Sequence, residues 1–262
     1  MRKDLRLRTT FDQVAELYDK IRPDYPEELF DELINKTGID KNSRLLEIAP
    51  GTGQATLPLA KRGYNITAVE LVFSLQKSAR QKLRDYPNVE VITGAFEDVE
   101  LPAESFDLVY VATAFHWIKP EVRFTKPYRL LKTDGYLAII NGNQVSDEAG
   151  DRFFHTAQPL YNKYWSSDPD NPFRLRHLSE VKPTDLDSNL FKLVHFNCFP
   201  HAISYTAEEY RQLINTDSEK LALLPDKRTK FLDEMKQLID RDFNGSVSRY
   251  YANSLTIAKK VS

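Results

Sequence analysis

Two glycines and two carboxylates carry the strongest chemical signal in the sequence. Glu47 closes an apolar run within LLEIAPGTGQATLPLA (residues 45–60), and Gly51 and Gly53 follow it in a small-residue turn. Glycine has no Cβ, so a turn of this kind lets the backbone approach a bound molecule closely. Glu70 ends the next apolar run, where a carboxylate can accept hydrogen bonds from both hydroxyls of a ribose. The pattern indicates a nucleoside-containing cofactor, and an ordinary tight turn between a strand and a helix is the alternative.

Short apolar runs alternate with helix patterns through the first half of the chain. The predicted strands are residues 44–49, 65–71, 88–93, 106–114 and 135–142, with helices between them and upstream at 10–20 and 26–37. This alternation favours a doubly wound α/β fold with parallel pairing and helices on both faces of the sheet. Such sheets bind ligands at the carboxyl ends of their strands, where the strand order reverses. The turn at 47–53, Glu70, and residues 94–97 and 113–117 all fall at such ends, so we expect them to share one crevice.

The alternation of strand and helix patterns stops after residue 142. A polar, aromatic-rich segment comes next and is followed by further strand and helix patterns. Thr206 and Glu209 match a capping box and predict the start of a helix. We interpret the chain as one domain in four parts: cap helices at 1–40, a cofactor-binding core at 41–142, a helical lid at 143–190, and C-terminal strands and helices at 191–262.

Composition narrows the class of protein. The chain has 262 residues and a formal net charge of −2, which argues against a dedicated nucleic-acid binder. Cys198 is the only cysteine, so no intramolecular disulfide is possible. No stretch approaches the roughly 20 apolar residues that a membrane span requires. We expect a cytoplasmic protein, monomeric or homodimeric, that acts on a small molecule and binds neither membrane nor nucleic acid.

The motif around the glycine turn resembles a known family. Residues 47–53, Glu-Ile-Ala-Pro-Gly-Thr-Gly, are similar to the E/D-x-G-x-G-x-G motif of class I S-adenosylmethionine-dependent methyltransferases. FDQVAELYDKIRPDYP, GAFEDVELPAESFDLVYVATAFHW and YRLLKTDGYLAI resemble further family segments in the expected order, and AFHW and YTAEEYRQLINT resemble the ubiquinone-pathway and trans-aconitate branch. The resemblance implies S-adenosyl-L-methionine as cofactor. It also implies a seven-stranded sheet in the order 3-2-1-4-5-7-6, with the seventh strand alone antiparallel.

Site residues are implied by the same resemblance, position by position. Glu47 would order the turn and receive the cofactor's ammonium, directly or through water, while Glu70 would take both ribose hydroxyls. Leu71 would pack on the adenine, Phe96 would offer its backbone N–H to the ring, and Glu97 would accept from the exocyclic amine. Tyr18, Arg22 and Tyr25 lie where the family's N-terminal helices fold over the cofactor, with ordinary helix packing as the alternative. The remaining implied cofactor contacts are Ala49, Gly51, Gly53 and Thr113.

Ala49 departs from the motif, because the family has its first glycine there. A positive φ at this position would place a methyl group in a conformation that costs about 1 kcal/mol or more. A negative φ would make alanine harmless. We expect the harmless case, because the rest of the motif is intact.

No sequence motif marks the site of the methyl acceptor, so its residues are proposed one by one. His116 follows the fourth strand and is a candidate general base, although a histidine that only orients AFHWI by hydrogen bonding fits equally well. The lid concentrates aromatic side chains beside two arginines, which would suit a carboxylate acceptor, with phenolic or quinone-like acceptors next. The substrate residues proposed on this basis are Trp117, Trp165, Arg174 and Arg176.

Two other functions are compatible with such a sheet. A noncatalytic protein that binds S-adenosylmethionine would share the fold, since fold alone does not establish function. A nicotinamide-dependent oxidoreductase is disfavoured, because Thr56 stands where the G-x-G-x-x-G fingerprint needs its third small residue. Neither metal nor metal chemistry is implied, because no cluster of His, Cys and Asp has ligand spacing.

Overall fold

The computed structural model describes residues 15–146, 151–164 and 175–261, except for the side chains of residues 15, 16, 18, 218 and 219. Its strands are β1 (Arg44–Ile48), β2 (Asn65–Glu70), β3 (Val89–Thr93), β4 (Phe106–Ala112), β5 (Leu131–Gln144), β6 (Phe191–Thr206) and β7 (Ser246–Lys260). Its α-helices are α1 (Ala15–Ile21), α2 (Glu27–Thr37), α3 (Thr56–Lys61), α4 (Phe73–Lys82), α5 (Thr125–Leu130), α6 (Arg152–Tyr164), α7 (Ala207–Ile214), α8 (Ser218–Leu221) and α9 (Pro225–Asp242). Short 3-10 turns cover Phe115–Trp117 and Leu178–Glu180.

The seven strands form one sheet in the order β3-β2-β1-β4-β5-β7-β6. β7 pairs antiparallel with β5 and with β6, and the pairs from β3 across to β5 are parallel. The doubly wound sheet predicted from the sequence is confirmed, including its order and its antiparallel seventh strand. The order reverses at β1, where Ile48 pairs with Val69 of β2 and Val111 of β4. The carboxyl ends of these three strands are therefore level, and the residues that follow them meet.

Consecutive residues of the central strands enter opposite layers. Leu45 belongs to the apolar cluster under α2, α3 and α4, and Leu46 belongs to the cluster on the other face, with Leu130 of α5. This is the period-two alternation of a strand that is buried on both faces. A third cluster joins α6, α7 and α9 to the ends of β6 and β7, through side chains such as Phe153, Tyr210 and Met235.

The segment after β5 contributes to this third cluster. β5 continues as far as Gln144, α6 follows, and residues 175–190 are irregular apart from one 3-10 turn. Phe153 and Leu160 of α6 are buried against α7 and α9, so these side chains form a small core with those helices. None of the helices within the described ranges is both long enough and apolar enough to cross a membrane.

The helix after β6 begins at the predicted capping box. The backbone N–H of Glu209 donates to Thr206 Oγ1 at 3.2 Å, and the N–H of Thr206 donates to Glu209 Oε2 at 2.8 Å. Two N–H groups that the helix itself cannot satisfy thus acquire acceptors. The cap fixes the point at which the chain leaves the sheet for α7.

Candidate active site

A cavity opens at the carboxyl ends of β1, β2 and β4, where the strand order reverses. Its empty volume, which includes solvent-open space at the mouth, is about 880 Å³. The predicted site residues that line it are Ala49, Gly51, Glu70, Leu71, Phe96, Glu97, Thr113 and Trp117. These residues come from four different strand ends, which the parallel sheet brings to one edge.

Glu70 lies on the wall of the cavity and ties two loops together. Its Oε2 accepts from the backbone N–H of Gly51 at 2.9 Å, and its Oε1 accepts from the N–H of Val72 at 2.8 Å. The side chain is only 3 % exposed. Burial raises the pKa of this carboxyl to about 7, against the lowering effect of those backbone N–H groups. Each oxygen keeps a second lone pair, so both can still accept a hydrogen bond from a ligand.

The two motif glycines have different surroundings. Both have positive φ, 60° at Gly51 and 85° at Gly53, which favours glycine at each position. No atom lies within 4 Å of where a Cβ on Gly51 would stand, and this residue lines the cavity. A Cβ on Gly53 would lie 3.2 Å from Leu83 Cδ1. Gly51 therefore leaves room for a ligand, whereas Gly53 lets the turn pack tightly beside the end of α4.

Ala49 has a φ of 54°, so the expectation of a harmless negative φ is wrong. Its N–H donates to Val69 O at 2.9 Å, and this bond holds the chain beside β2 as it turns away from β1. Thr113, at the end of β4, has a φ of 56°, and its N–H donates to Ile140 O at 2.7 Å. A β-branched residue in this conformation is a genuine outlier. Backbone strain thus lies at two strand ends that both face the cavity, a distribution typical of functional sites.

Glu47 is not among the residues that line the cavity, and its expected contact with the cofactor's ammonium, directly or through water, stays a prediction. It is fully buried beneath the turn, where its Oε2 accepts from Thr56 Oγ1 at 2.6 Å and from the Tyr110 hydroxyl at 2.7 Å. Strand alternation turns this side chain into the layer under α3. Burial, with the nearby charge of Glu70, raises its pKa to about 7 despite those two hydrogen bonds. Its Oε1 has no hydrogen-bond partner within the described ranges.

Phe96 and Glu97 form the opposite wall of the cavity. Lys126, which the sequence reasoning missed, holds the loop that carries them. Glu97 Oε1 accepts from the backbone N–H of Lys119 at 3.1 Å. Lys126 Nζ donates to Val99 O at 2.6 Å and lies 5.0 Å from the centre of the Phe96 ring. Burial lowers the pKa of Lys126. This lysine is 30 residues beyond Phe96 and carries no motif, so only its position on α5 reveals its role in holding the 96–99 loop.

The predicted contacts from the N-terminal helices divide into two groups. The Tyr25 hydroxyl lines the cavity and lies 2.9 Å from Thr113 Oγ1. Arg22 does not line it, because its guanidinium donates to Thr216 Oγ1 at 2.8 Å and Thr216 O at 3.0 Å. Arg22 therefore ties α1 to the end of α7. The side chain of Tyr18 lies outside the described residues.

The proposed acceptor residues are placed as follows. Trp117 lines the cavity, and the ring of His116, half-buried, has its centre 4.9 Å from the Trp117 ring but is not part of the lining. Arg176 is exposed, and its backbone carbonyl accepts from Ser146 N–H at 2.9 Å. Trp165 and Arg174 lie outside the described residues.

The comparisons with known proteins indicate the class of this protein. Residues 46–139 match the methyltransferase domain family. An uncharacterized methyltransferase-like protein of Schizosaccharomyces pombe is 29% identical over 245 residues, which cover 92% of this chain and 91% of that protein. The domain match and the methyltransferase relatives support a class I S-adenosylmethionine-dependent methyltransferase.

Solved structures share the fold at low sequence identity. Phosphoethanolamine N-methyltransferase 2 of Haemonchus contortus, in complex with phosphomonomethylethanolamine and S-adenosylhomocysteine, is 17% identical with a TM-score of 0.53, over 100% of this chain and 60% of that one. The [4+2]-cyclase SpnF is 16% identical with a TM-score of 0.58, over 98% of this chain and 96% of that one. At these identities the likeness shows the fold alone.

Proposed function

We propose that the cavity holds S-adenosylmethionine and that its methyl group passes to a small-molecule acceptor bound beside Thr113 and Trp117. The observation that carries this proposal is the position of Glu70, whose two oxygens stand on the cavity wall at the switch point of the sheet. The open space at Gly51 supports it, because a side chain there would fill the room a ligand needs. The cofactor supplies an electrophilic methyl group on a positively charged sulfur.

Each wall of the cavity suits one part of this cofactor. The carboxylate of Glu70 would accept from both ribose hydroxyls, and Leu71, with Val72 and Leu75, would pack on the adenine face. Phe96 and Glu97 would bind the edge of the base. Tyr25 and Thr113 would stand beside the methionine portion.

Positioning supplies most of the rate in a displacement of this type. Alignment of the acceptor atom with the methyl carbon replaces a bimolecular encounter, and such alignment can contribute about 7–11 kcal/mol to lowering the barrier. The strained φ of Thr113 and its contact with Tyr25 hold one wall of the transfer point in a single geometry. The strand end that carries Thr113 would thus help to align the acceptor atom with the methyl carbon.

The chemical nature of the acceptor decides whether a base is required. A carboxylate acceptor is already ionised at neutral pH, so it needs none. A phenolic acceptor carries a proton, and His116, next to Trp117, would be the residue to receive it. Replacing His116 with alanine tests this role. Full turnover of the variant from pH 6 to pH 9 would remove His116 from the reaction.

Calorimetry with S-adenosylhomocysteine tests the cofactor assignment. We expect binding to the wild-type chain, a loss on the order of 2–3 kcal/mol in Glu70→Ala, and unchanged affinity in Glu90→Gln, a matched control exposed on β3. NAD serves as the comparison ligand. Equal affinity for NAD, or unchanged affinity in Glu70→Ala, would contradict the assignment. Turnover against carboxylic acids and phenols then separates an enzyme from a noncatalytic cofactor-binding protein.

A further inference from the structure

β7 presents a polar face toward the interior where a buried strand should be apolar. Burial alternates at the start of the strand, where Val247 and Arg249 are buried and Ser248 and Tyr250 are exposed. Arg249 and, further along, Asn253 are each only 7 % exposed. Strand geometry places Tyr251 on the same face as the two buried polar residues. Val247 and Leu255, which flank this row on the same face, are apolar and buried. A cation, a phenol and an amide therefore replace core residues at three successive inward positions.

One end of this row lies close to Thr113, a residue that lines the cavity. Asn253 pairs with Gly142 of β5 in the sheet. A Cβ on Gly142 would stand 3.7 Å from Thr113 Oγ1 and 3.8 Å from Asn253 Nδ2, so these two polar side chains flank the glycine. Thr113 lines the cavity and contacts Tyr25. Asn253 thus lies next to the proposed point of methyl transfer.

Two polar atoms of the row lack partners among the described residues. Asn253 Oδ1 and Arg249 Nε are both buried, and within the part of the chain that the structure describes neither has a hydrogen-bond partner. No carboxylate of a described residue lies within ion-pair distance of Arg249; its neighbours are the rings of Phe153 and Tyr210, 5.2 and 5.8 Å from Cζ. A buried charge normally has a counter-ion, because its desolvation is otherwise uncompensated. Aromatic rings attract the cation but do not satisfy the in-plane N–H donors, which match a carboxylate.

We propose that the inward face of β7 is the acceptor-binding surface, and that Arg249 binds the carboxylate of an organic acid whose methylated end lies beside Asn253 and Thr113. This inference rests on the proposed methyl transfer and gives its acceptor a chemical class. The Cα atoms of Arg249 and Asn253 are four strand residues apart, or roughly 13 Å. The acceptor is therefore an elongated acid with its carboxylate and its methylated atom at opposite ends. Tyr251 lies between them, with its ring stacked on His201 at 5.8 Å, and offers a flat surface to the connecting portion.

The test compares Arg249→Met with Arg249→Lys, which keeps the charge, and with Arg84→Met, which removes an exposed arginine elsewhere. Calorimetry with S-adenosylhomocysteine should give affinities within twofold of wild type for all three. Methyl transfer is then measured on linear dicarboxylic acids of increasing length and on their monoamides, which keep one carboxylate as the methyl acceptor. For Arg249→Met we expect KM for the diacids to rise at least tenfold with kcat nearly unchanged, and no such change on the monoamides. Arg249→Lys should recover part of the loss, and Arg84→Met should show none of these effects.

Thermal unfolding separates ligand binding from a purely structural role. Without acid, Arg249→Met should melt no lower than wild type, because the variant removes an uncompensated buried charge. A linear dicarboxylate should raise the melting temperature of the wild-type complex with S-adenosylhomocysteine and leave that of Arg249→Met unchanged. A marked loss of stability in Arg249→Met with equal KM changes on diacids and monoamides would overturn the inference. The absence of turnover and of a thermal shift with every acid in the wild type would also overturn it. Failure of S-adenosylhomocysteine to bind the wild-type chain would instead overturn the proposed function, and this inference with it.

Discussion

The raised pKa of Glu70 makes cofactor affinity depend on pH in a predictable direction. Ribose hydroxyls donate to the ionised carboxylate, so the ligand binds that form preferentially and binding lowers the pKa. With a pKa of about 7 in the free protein, about one tenth of Glu70 is ionised at pH 6 and about nine tenths at pH 8. The association constant for S-adenosylhomocysteine should therefore increase about tenfold from pH 6 to pH 8, equivalent to about 1.4 kcal/mol.

Calorimetry at half-unit steps from pH 6 to pH 8 measures this slope. Glu70→Gln should bind more weakly and with little dependence on pH, because its amide does not titrate. Glu47→Gln is the informative control, because Glu47 also has a pKa of about 7 but does not line the cavity. This variant should keep the tenfold slope. A flat wild-type profile, or a slope that survives in Glu70→Gln and disappears in Glu47→Gln, would refute the assignment of Glu70 to the ribose.

Three further outcomes follow from the geometry of the turn. Glu47→Gln should flatten the pH dependence of the free energy of unfolding. A carboxyl whose pKa rises on folding loses its stabilising effect as pH increases from about 4.5 to about 7, by up to about 3 kcal/mol. The free energies of unfolding from urea denaturation at pH 5 and pH 8 should therefore differ less in the variant than in the wild type. Ala49→Gly should stabilise the protein by about 0.5–1 kcal/mol in thermal unfolding, since relief of the left-handed alanine exceeds the added entropy of the unfolded chain. Ala55→Gly, at a φ of −89° in the same turn, should destabilise the protein in the same measurement. Gly51→Val should abolish calorimetric binding of S-adenosylhomocysteine because its side chain would enter the cavity, and binding retained with native affinity would show that the ligand lies elsewhere.

Local sequence was sufficient for the features that depend on local geometry. Alternating strand and helix patterns determined a parallel sheet, and the carboxyl ends of parallel strands necessarily share one edge. Glu70 and Gly51 could be assigned to that edge because each directly follows or ends a strand. Their positions on the cavity wall required no knowledge of distant residues.

Tertiary structure decided the features that depend on pairing between distant segments. The φ of Ala49 is set by its hydrogen bond to Val69 on the neighbouring strand, and Glu47 is buried because Tyr110 of β4 and Thr56 of α3 close over it. Arg22 was expected at the cofactor, but its guanidinium bonds to Thr216, which lies 194 residues further along the chain.

The proposed acceptor surface on β7 depends most strongly on tertiary structure. The stretch that contains Arg249 and Asn253 reads as an ordinary terminal strand, with no motif to mark it. Only the antiparallel register of β7 against β5 brings Asn253 beside Gly142 and Thr113. Strand register depends on which partner a strand finds, and shifting it by one residue would turn every side chain to the other face. The sequence by itself therefore determined the cofactor edge of the sheet, and the long-range pairing of β7 decided which side chains stand opposite it.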